Sequence, residues 1–476
     1  MASKTTLNAK NLEALGAKRL AQLLIEVSTG NAAAKRKLRL ALAGAQSPRE
    51  AAREIAKRLT SIAKSKSAIN WKKRKAFVDD LQTLRRGIVD QVAPQDPEEA
   101  LFLMWRFMSL ANPVIERCHG GDDAVIRVFH DACAVLGALA SAAEPRRDLL
   151  VDMVYDALNE NAYGQYRGLI SVLAPVLGEQ GLDQLRQRFD ALMNELAQIS
   201  GSPDCSRRES TEEYVARIAS RRKQRNTRRA LLELADVQGD VDGFIVQFDP
   251  VARTIPAVAI EIARRLIGAD RAAEALELID AADVEEDDPD LFDWQDVRID
   301  SLEALGRSDE AQAFRWTCFE RHLSADYLRD HLKRLADFDD IEAEERAMAY
   351  AMSCPSLFAA LRFFLDWPSP ALAAQLLVSR HEEIDGDHYE ILVPAAEALS
   401  ERHPLPATLA LRAMIDFTLT RARSKRYSYA ADHLVTCGSL APAISDFGAF
   451  ETHEAYVARL KKLHAHKSLF WSRLEG

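Results

Sequence analysis

Apolar residues recur at helical spacing along almost the whole chain, and strand-like alternation is nearly absent. Leu12, Leu15, Leu20, Leu23 and Leu24 predict a first amphipathic helix. Ser47-Pro48-Arg49-Glu50 is a helix start: a serine to accept an exposed amide, a proline at the first helical position and an acid in the first turn. Ile55, Leu59, Ile62 and Ile69 then step along one face, and after Trp71 so do Phe77, Leu81, Leu84 and Ile88. Lysines and arginines fall mostly on the opposite side. The pattern predicts a basic helical hairpin over 47–92, turning near Ser67 to Asn70 and closed by Pro94 and Pro97.

Further apolar stripes follow: Leu103, Phe107 and Leu110; Val125, Val128, Phe129 and Leu136; and Leu149, Met153, Val154 and Leu158. Gly120-Gly121, Pro145 and Gly178 mark turns, and Ser200 to Thr211 reads as a loop or boundary. Beyond 210 the pattern becomes one of stacked helix pairs. Gly268 and Gly306 stand 38 residues apart, each with an alanine five residues on, Ala273 and Ala311. This resembles tetratricopeptide-like units, degenerate because their usual period is about 34, with weaker echoes at Ala373-Ala374 after Pro370 and at Ala407 after Pro404 and Pro406. Gly243 to Phe248 is the best short strand candidate in an otherwise helical chain. The expected fold is all-α: an α-solenoid of degenerate tetratricopeptide/HEAT-like helix pairs with an N-terminal basic helical hairpin. The expected regions are 1–97, basic and helical; 98–200, a helical core; and 201–476, the repeats.

Charge divides the 476-residue chain unevenly. Residues 1–90 carry 20 Lys and Arg against 7 Asp and Glu, whereas the remainder is net −23, for a total of −10. The densest basic run is Lys72-Lys73-Arg74-Lys75, and Arg221-Arg222-Lys223-Gln224-Arg225 forms a second cluster. Such runs are solvated helix faces, docking surfaces for acidic segments, or polyanion sites. Trp71 is expected to pack and not to stack on a base. The six cysteines form no C-x-x-C pair, which points to reduced, mostly buried thiols. No signal-peptide core follows Met1, and Leu101 to Val114 is too short and carries Arg106, so a cytoplasmic protein with no membrane span is expected.

Phosphate-cradling glycine loops, nucleophile elbows and H-E-x-x-H motifs are absent, so no catalytic, cofactor or metal residue is assigned. Three polar clusters remain. His381-Glu382-Glu383-Ile384-Asp385-Gly386-Asp387-His388 has the density of a metal site but not the spacing of a calcium loop, and reads as a polar turn. His433 and Cys437 lie four apart, with packing the simpler account. Asn161, Tyr163 and Tyr166, in Asn161-Ala162-Tyr163-Gly164-Gln165-Tyr166, form a polar-aromatic turn that either faces a ligand or shapes the turn itself.

Several segments together resemble a bacterial family of uncharacterised all-helical proteins carrying a domain of unknown function. They are Asn11 to Gly16 with Arg19-Leu20-Ala21, Ile69-Asn70-Trp71 through Val92-Ala93-Pro94, and Trp105 to Met108 with Ala111 to Val114. Asn161 to Tyr166 with Gly168-Leu169-Ile170 and Leu173-Ala174-Pro175 is the most characteristic, and His453 to Tyr456 with Arg459, His464, Phe470 and Trp471 closes the set. The resemblance implies a helical-repeat protein and no activity. The C-terminal part is also similar to the helical repeats beside SWIM-type zinc fingers, but the finger's C-x-C and C-x-H ligands are missing. The expected function is a non-enzymatic protein–protein interaction scaffold. Nucleic-acid association through the basic hairpin and the Arg221 cluster is the first alternative. An enzyme with a site assembled near Tyr163 or His381 is the second.

Overall fold

A computed structural model describes residues 6–118, 123–199 and 211–474. Among these residues every regular element is a helix and none is a strand. The chain divides into two compact units, Met1–Arg253 and Thr254–Gly476. The sequence pattern suggested breaks near 97 and 200. Instead, a single core of buried side chains runs from Leu40 to Leu234, so the basic region and the helical core fold as one body. The Gly120-Gly121 turn, the 200–210 stretch and Cys205 lie outside the described residues.

In the first unit the start signals act as their chemistry dictates. Ser47 Oγ accepts the Glu50 amide at 3.2 Å at the head of Pro48–Lys64, and Asn70 accepts the Lys73 amide at 3.2 Å at the head of Trp71–Gly87. Between them Arg117 serves the bare end of the first helix, donating to the Ile62 and Ser67 carbonyls at 3.2 and 2.9 Å. The buried Asp80 takes Arg36 Nε on one oxygen at 3.1 Å and Arg58 Nη2 on the other at 2.5 Å. Part of the basic charge is thus spent inside the fold. Asp123–Ala143 is long and apolar enough to cross a membrane by length and composition. It is a core helix of this unit, burying Val125, Val128, Phe129, Cys133 and Leu136.

Four local elements of the first unit differ from the sequence expectation. The first helix is broken in two, Ala9–Glu13 and Ala17–Ser28, by Gly16 at φ 76°, and its apolar residues Leu15, Leu24 and Ile25 stay exposed. Trp71 is 74% exposed, with the Lys72 ammonium 5.3 Å above its ring. The stripe near 150 is shifted: Leu150, Val151, Val154 and Leu158 are buried while Leu149 and Met153 face outward. The strand candidate is the helix Val241–Ile245, where Phe244 meets Phe248 one turn on.

In the second unit each helix packs mainly on its successor and on the next but one, the connectivity of stacked helix pairs. Two successive turns are built alike. The Arg271 amide reaches back to the Leu266 carbonyl at 2.8 Å, and the Arg307 amide to Leu302 at 2.9 Å. Each turn passes through a left-handed residue, Asp270 at φ 59° and Gly306 at φ 71°. Each arginine then grips the glutamate three residues on, Arg271 to Glu274 at 2.7 Å and Arg307 to Glu310 at 2.6 Å. The structural repeat is therefore 36 residues, not 38. Asp270 stands where Gly306 stands, and the buried alanines are Ala275 and Ala311, with Ala273 exposed.

Candidate functional site

The second unit contains a cavity of about 560 Å³. The helix Pro404–Thr420 supplies one wall with two adjacent rows: Leu409, Ala413 and Phe417, and beside them Arg412, Asp416 and Thr420. The helix His453–His464 adds Tyr456 and Arg459 from one face. The remaining wall comes from the irregular stretches around His381 to Gly386 and Ala449 to Glu451. Gly386 has no side chain for a packing reason: a Cβ there would lie 2.1 Å from the Ala413 carbonyl oxygen. The loop can seat against the helix only as glycine.

Electrostatically the cavity is an arginine-and-acid weave. Arg459 Nε meets both Glu451 carboxylate oxygens at 3.1 and 2.9 Å, and its Nη2 meets Asp416 at 3.1 Å. The fully buried Tyr456 donates its hydroxyl to Asp416 Oδ1 at 3.1 Å, and burial holds that phenol well above its ordinary value. Arg412 is 6% exposed; burial lowers its pKa, and its guanidinium sits 4.5 Å over the Tyr456 ring. Its Nη1 donates to the Glu451 carbonyl at 2.7 Å, but Nε and Nη2 are buried without an acceptor. Among the described residues no serine or cysteine lines the cavity.

The His381 cluster, seen in sequence as a polar turn, thus contributes to this wall, although its charges are largely spoken for. Arg380 grips Glu383, Asp387 pairs with Arg426 at 2.8 Å, and His388 lies against Glu390 and the Phe358 ring. His381 meets the Phe450 ring edge-on at 4.8 Å. Arg412, on the cavity wall, is not marked by any motif. The signal was a charged residue in a run whose neighbours Leu411, Met414 and Ile415 are core formers.

The first unit holds a second hollow, of about 430 Å³, along the helix Thr211–Gln238. Arg221, Arg225 and Arg228, spaced i, i+4 and i+7, line it with Gln224, Met193, Val246 and Gln247. Among the described residues no acid lines it, and Arg228 lies 4.7 Å over Phe248 with its Nε buried and unpaired. From the expected cluster, Arg221 and Arg225 are brought together here, while Arg222 and Lys223 are exposed outside the lining. Lys72, Lys73 and Lys75 are also exposed, and Arg74 is half-buried, reaching the Cys118 carbonyl at 3.4 Å.

The Asn161–Tyr166 turn is a packed knot. Asn161 Oδ1 accepts the Tyr166 amide at 3.1 Å, its carbonyl accepts Asn226, and the buried Gln165 bonds Asn112 at 2.8 Å and the Tyr163 amide at 3.0 Å. Tyr166 packs near Trp105, while Tyr163 is partly exposed. Among the described residues no three histidines, cysteines or acids gather as metal ligands. Cys437 is buried and pushed up to about 12, and burial lowers the His433 pKa, as packing alone explains.

No curated protein matches the chain. A solved circular tandem repeat protein, described as having novel repeat topology and enhanced subunit contact surfaces, aligns over 96% of this chain and 96% of its own, at 14% identity. Its TM-score is 0.20. A family pattern matches residues 2–473, nearly the whole chain, and the protein therefore belongs to DUF6880, a family of unknown function.

Proposed function

We propose that this chain is a non-enzymatic recognition scaffold that receives part of a partner protein in the cavity between Pro404–Thr420 and His453–His464. The observation that carries this reading is the state of the cavity's reactive groups. Asp416 and Glu451 are held by Arg459, Asp385 Oδ1 accepts the Asp387 amide at 3.0 Å, the His381 ring meets the Val378 carbonyl at 3.3 Å, burial holds the Tyr456 phenol well above its ordinary value, and among the described residues no serine or cysteine lines the wall. Groups tied up in this way favour holding a ligand over transferring protons to it. The test is a photoreactive amino acid placed at Thr420, on the cavity wall, or at the exposed Tyr429. In cells, a partner should be captured from position 420 and not from 429. Capture from neither position, or equally from both, contradicts the reading.

A second reading, association with nucleic acid, is favoured by the hollow of Arg221, Arg225 and Arg228, which no acid lines among the described residues. Three phosphate contacts to a single strand give a log–log salt slope of about −2. No shift of a 30-nucleotide oligomer at low salt, or an unchanged slope in Arg225→Ala, ends this reading.

A further inference from the structure

Arg412 is a charge inside the fold with at least three of its five N–H donors unmet. Its side chain is 6% exposed, and only Nη1 has an acceptor, the Glu451 carbonyl at 2.7 Å. Nε and Nη2 have none. Their N–H bonds lie along one edge of the planar guanidinium, the edge that matches the two oxygens of a carboxylate. The nearby acids do not supply that match. Both Glu451 oxygens face Arg459 Nε, and Asp416 is shared between Arg459 and Tyr456. The Tyr456 and Phe447 rings cover the guanidinium at 4.5 and 5.8 Å but offer no lone pair. Buried donors without acceptors are rare in folded proteins, because each forfeits its bonds to water.

We propose that Arg412 is the docking point for a ligand carboxylate entering this cavity: Nε and Nη2 are closed to water in this structure, and a shift of the Arg412 side chain past the Phe447 and Tyr456 rings brings them onto the two carboxylate oxygens. The proposal rests on the reading of the cavity as a place of recognition. The wall carries three arginines, Arg412, Arg421 and Arg459, and three acids, Asp385, Asp416 and Glu451, so its charges already balance; a carboxylate fills the Arg412 fork with one added negative charge, whereas a phosphate dianion adds two. Ile384, Leu409, Phe417 and Phe450 give the rest of the ligand an apolar wall. The carboxylate can come from a small organic acid or from the end of a polypeptide.

Thermal shift and calorimetry on the full chain test this with three probes: butyrate, an N-acetylated tetrapeptide ending in leucine with a free carboxylate, and the same peptide as its amide. The free acid of one or both sources should bind and raise the melting temperature, and the amide should not. Butyrate alone names a small acid as the source, and the peptide alone names a chain terminus. Arg412→Met should lower affinity on the order of 30-fold or more. Arg412→Lys, which keeps the charge but loses the fork, should fall between. Circular dichroism identifies any variant that fails to fold, and the acid-versus-amide comparison on the native chain is decisive without variants. Equal binding of acid and amide, no binding of either acid, or unchanged affinity in folded Arg412→Met overturns the proposal. A partner captured from position 420 together with no carboxylate preference would leave the scaffold standing and remove this inference. Carboxylate binding without capture would do the reverse.

Discussion

Replacing Gly386 by alanine inserts one methyl group where the loop meets the helix Pro404–Thr420. The new Cβ would sit 2.1 Å from the Ala413 carbonyl oxygen, 2.5 Å from its carbon and 2.8 Å from Phe417 Cβ. Ordinary contact begins near 3.4 Å, and two of these atoms are helix backbone that cannot swing aside. The loop must move out by roughly 1 Å, and overpacking of this kind costs about 1–3 kcal/mol. In a unit of this size each kcal/mol lowers the melting temperature by about 2–4 °C, so the drop should be about 2–12 °C. Gly268→Ala is the control. Nothing lies within 4 Å of its Cβ position, so the exchange should be neutral or stabilise by up to about 1 kcal/mol through helix propensity. Calorimetry of both variants decides the matter. A Gly386→Ala protein as stable as Gly268→Ala would refute the packing argument and the position of that wall.

Asp270→Gly should stabilise by about 0.5–1 kcal/mol in a denaturant titration, since Asp270 holds the left-handed position that Gly306 fills in the next unit. Glu303→Ala should cost about 2–3 kcal/mol, because the buried Arg315 would lose its acid at 2.5 Å and keep only Gln312 at 3.0 Å; an unchanged denaturation midpoint would contradict the assignment. Burial lowers the His433 pKa from 6.5, so below that value the unfolded chain binds the proton more readily. That stabilising contribution is present above about pH 6.5 and is lost as the pH falls through the folded value. His433→Leu should therefore flatten the loss of stability between pH 7 and 5.5.

Helix positions were legible because the period of 3.6 is written directly into the spacing of core residues, and Ser47-Pro48, Pro370 and Pro404 mark helix starts. Phase was less legible. Leu149 and Leu150 are chemically alike, and only the partner helix decides which one is buried. The glycine spacing overstates the repeat by two residues because an aspartate adopts the left-handed turn, so the glycine signal falls on Gly268 instead of Asp270. The cavity was half visible. The His381 cluster announces polarity, but Arg412, Asp416, Tyr456 and Arg459 come together only when two helices and two loops meet. Arg412 and Arg315 share the one available clue, a cation at a buried helical phase with apolar residues on either side.

Hydrogen exchange of the full chain, alone and with the partner captured from position 420, tests the central claim most directly. Slowed exchange concentrated in 384–386, 409–421 and 449–459, the segments that wall the cavity, is the predicted result. Unchanged exchange in those segments, with slowing on Thr211–Gln238 or elsewhere, would contradict it.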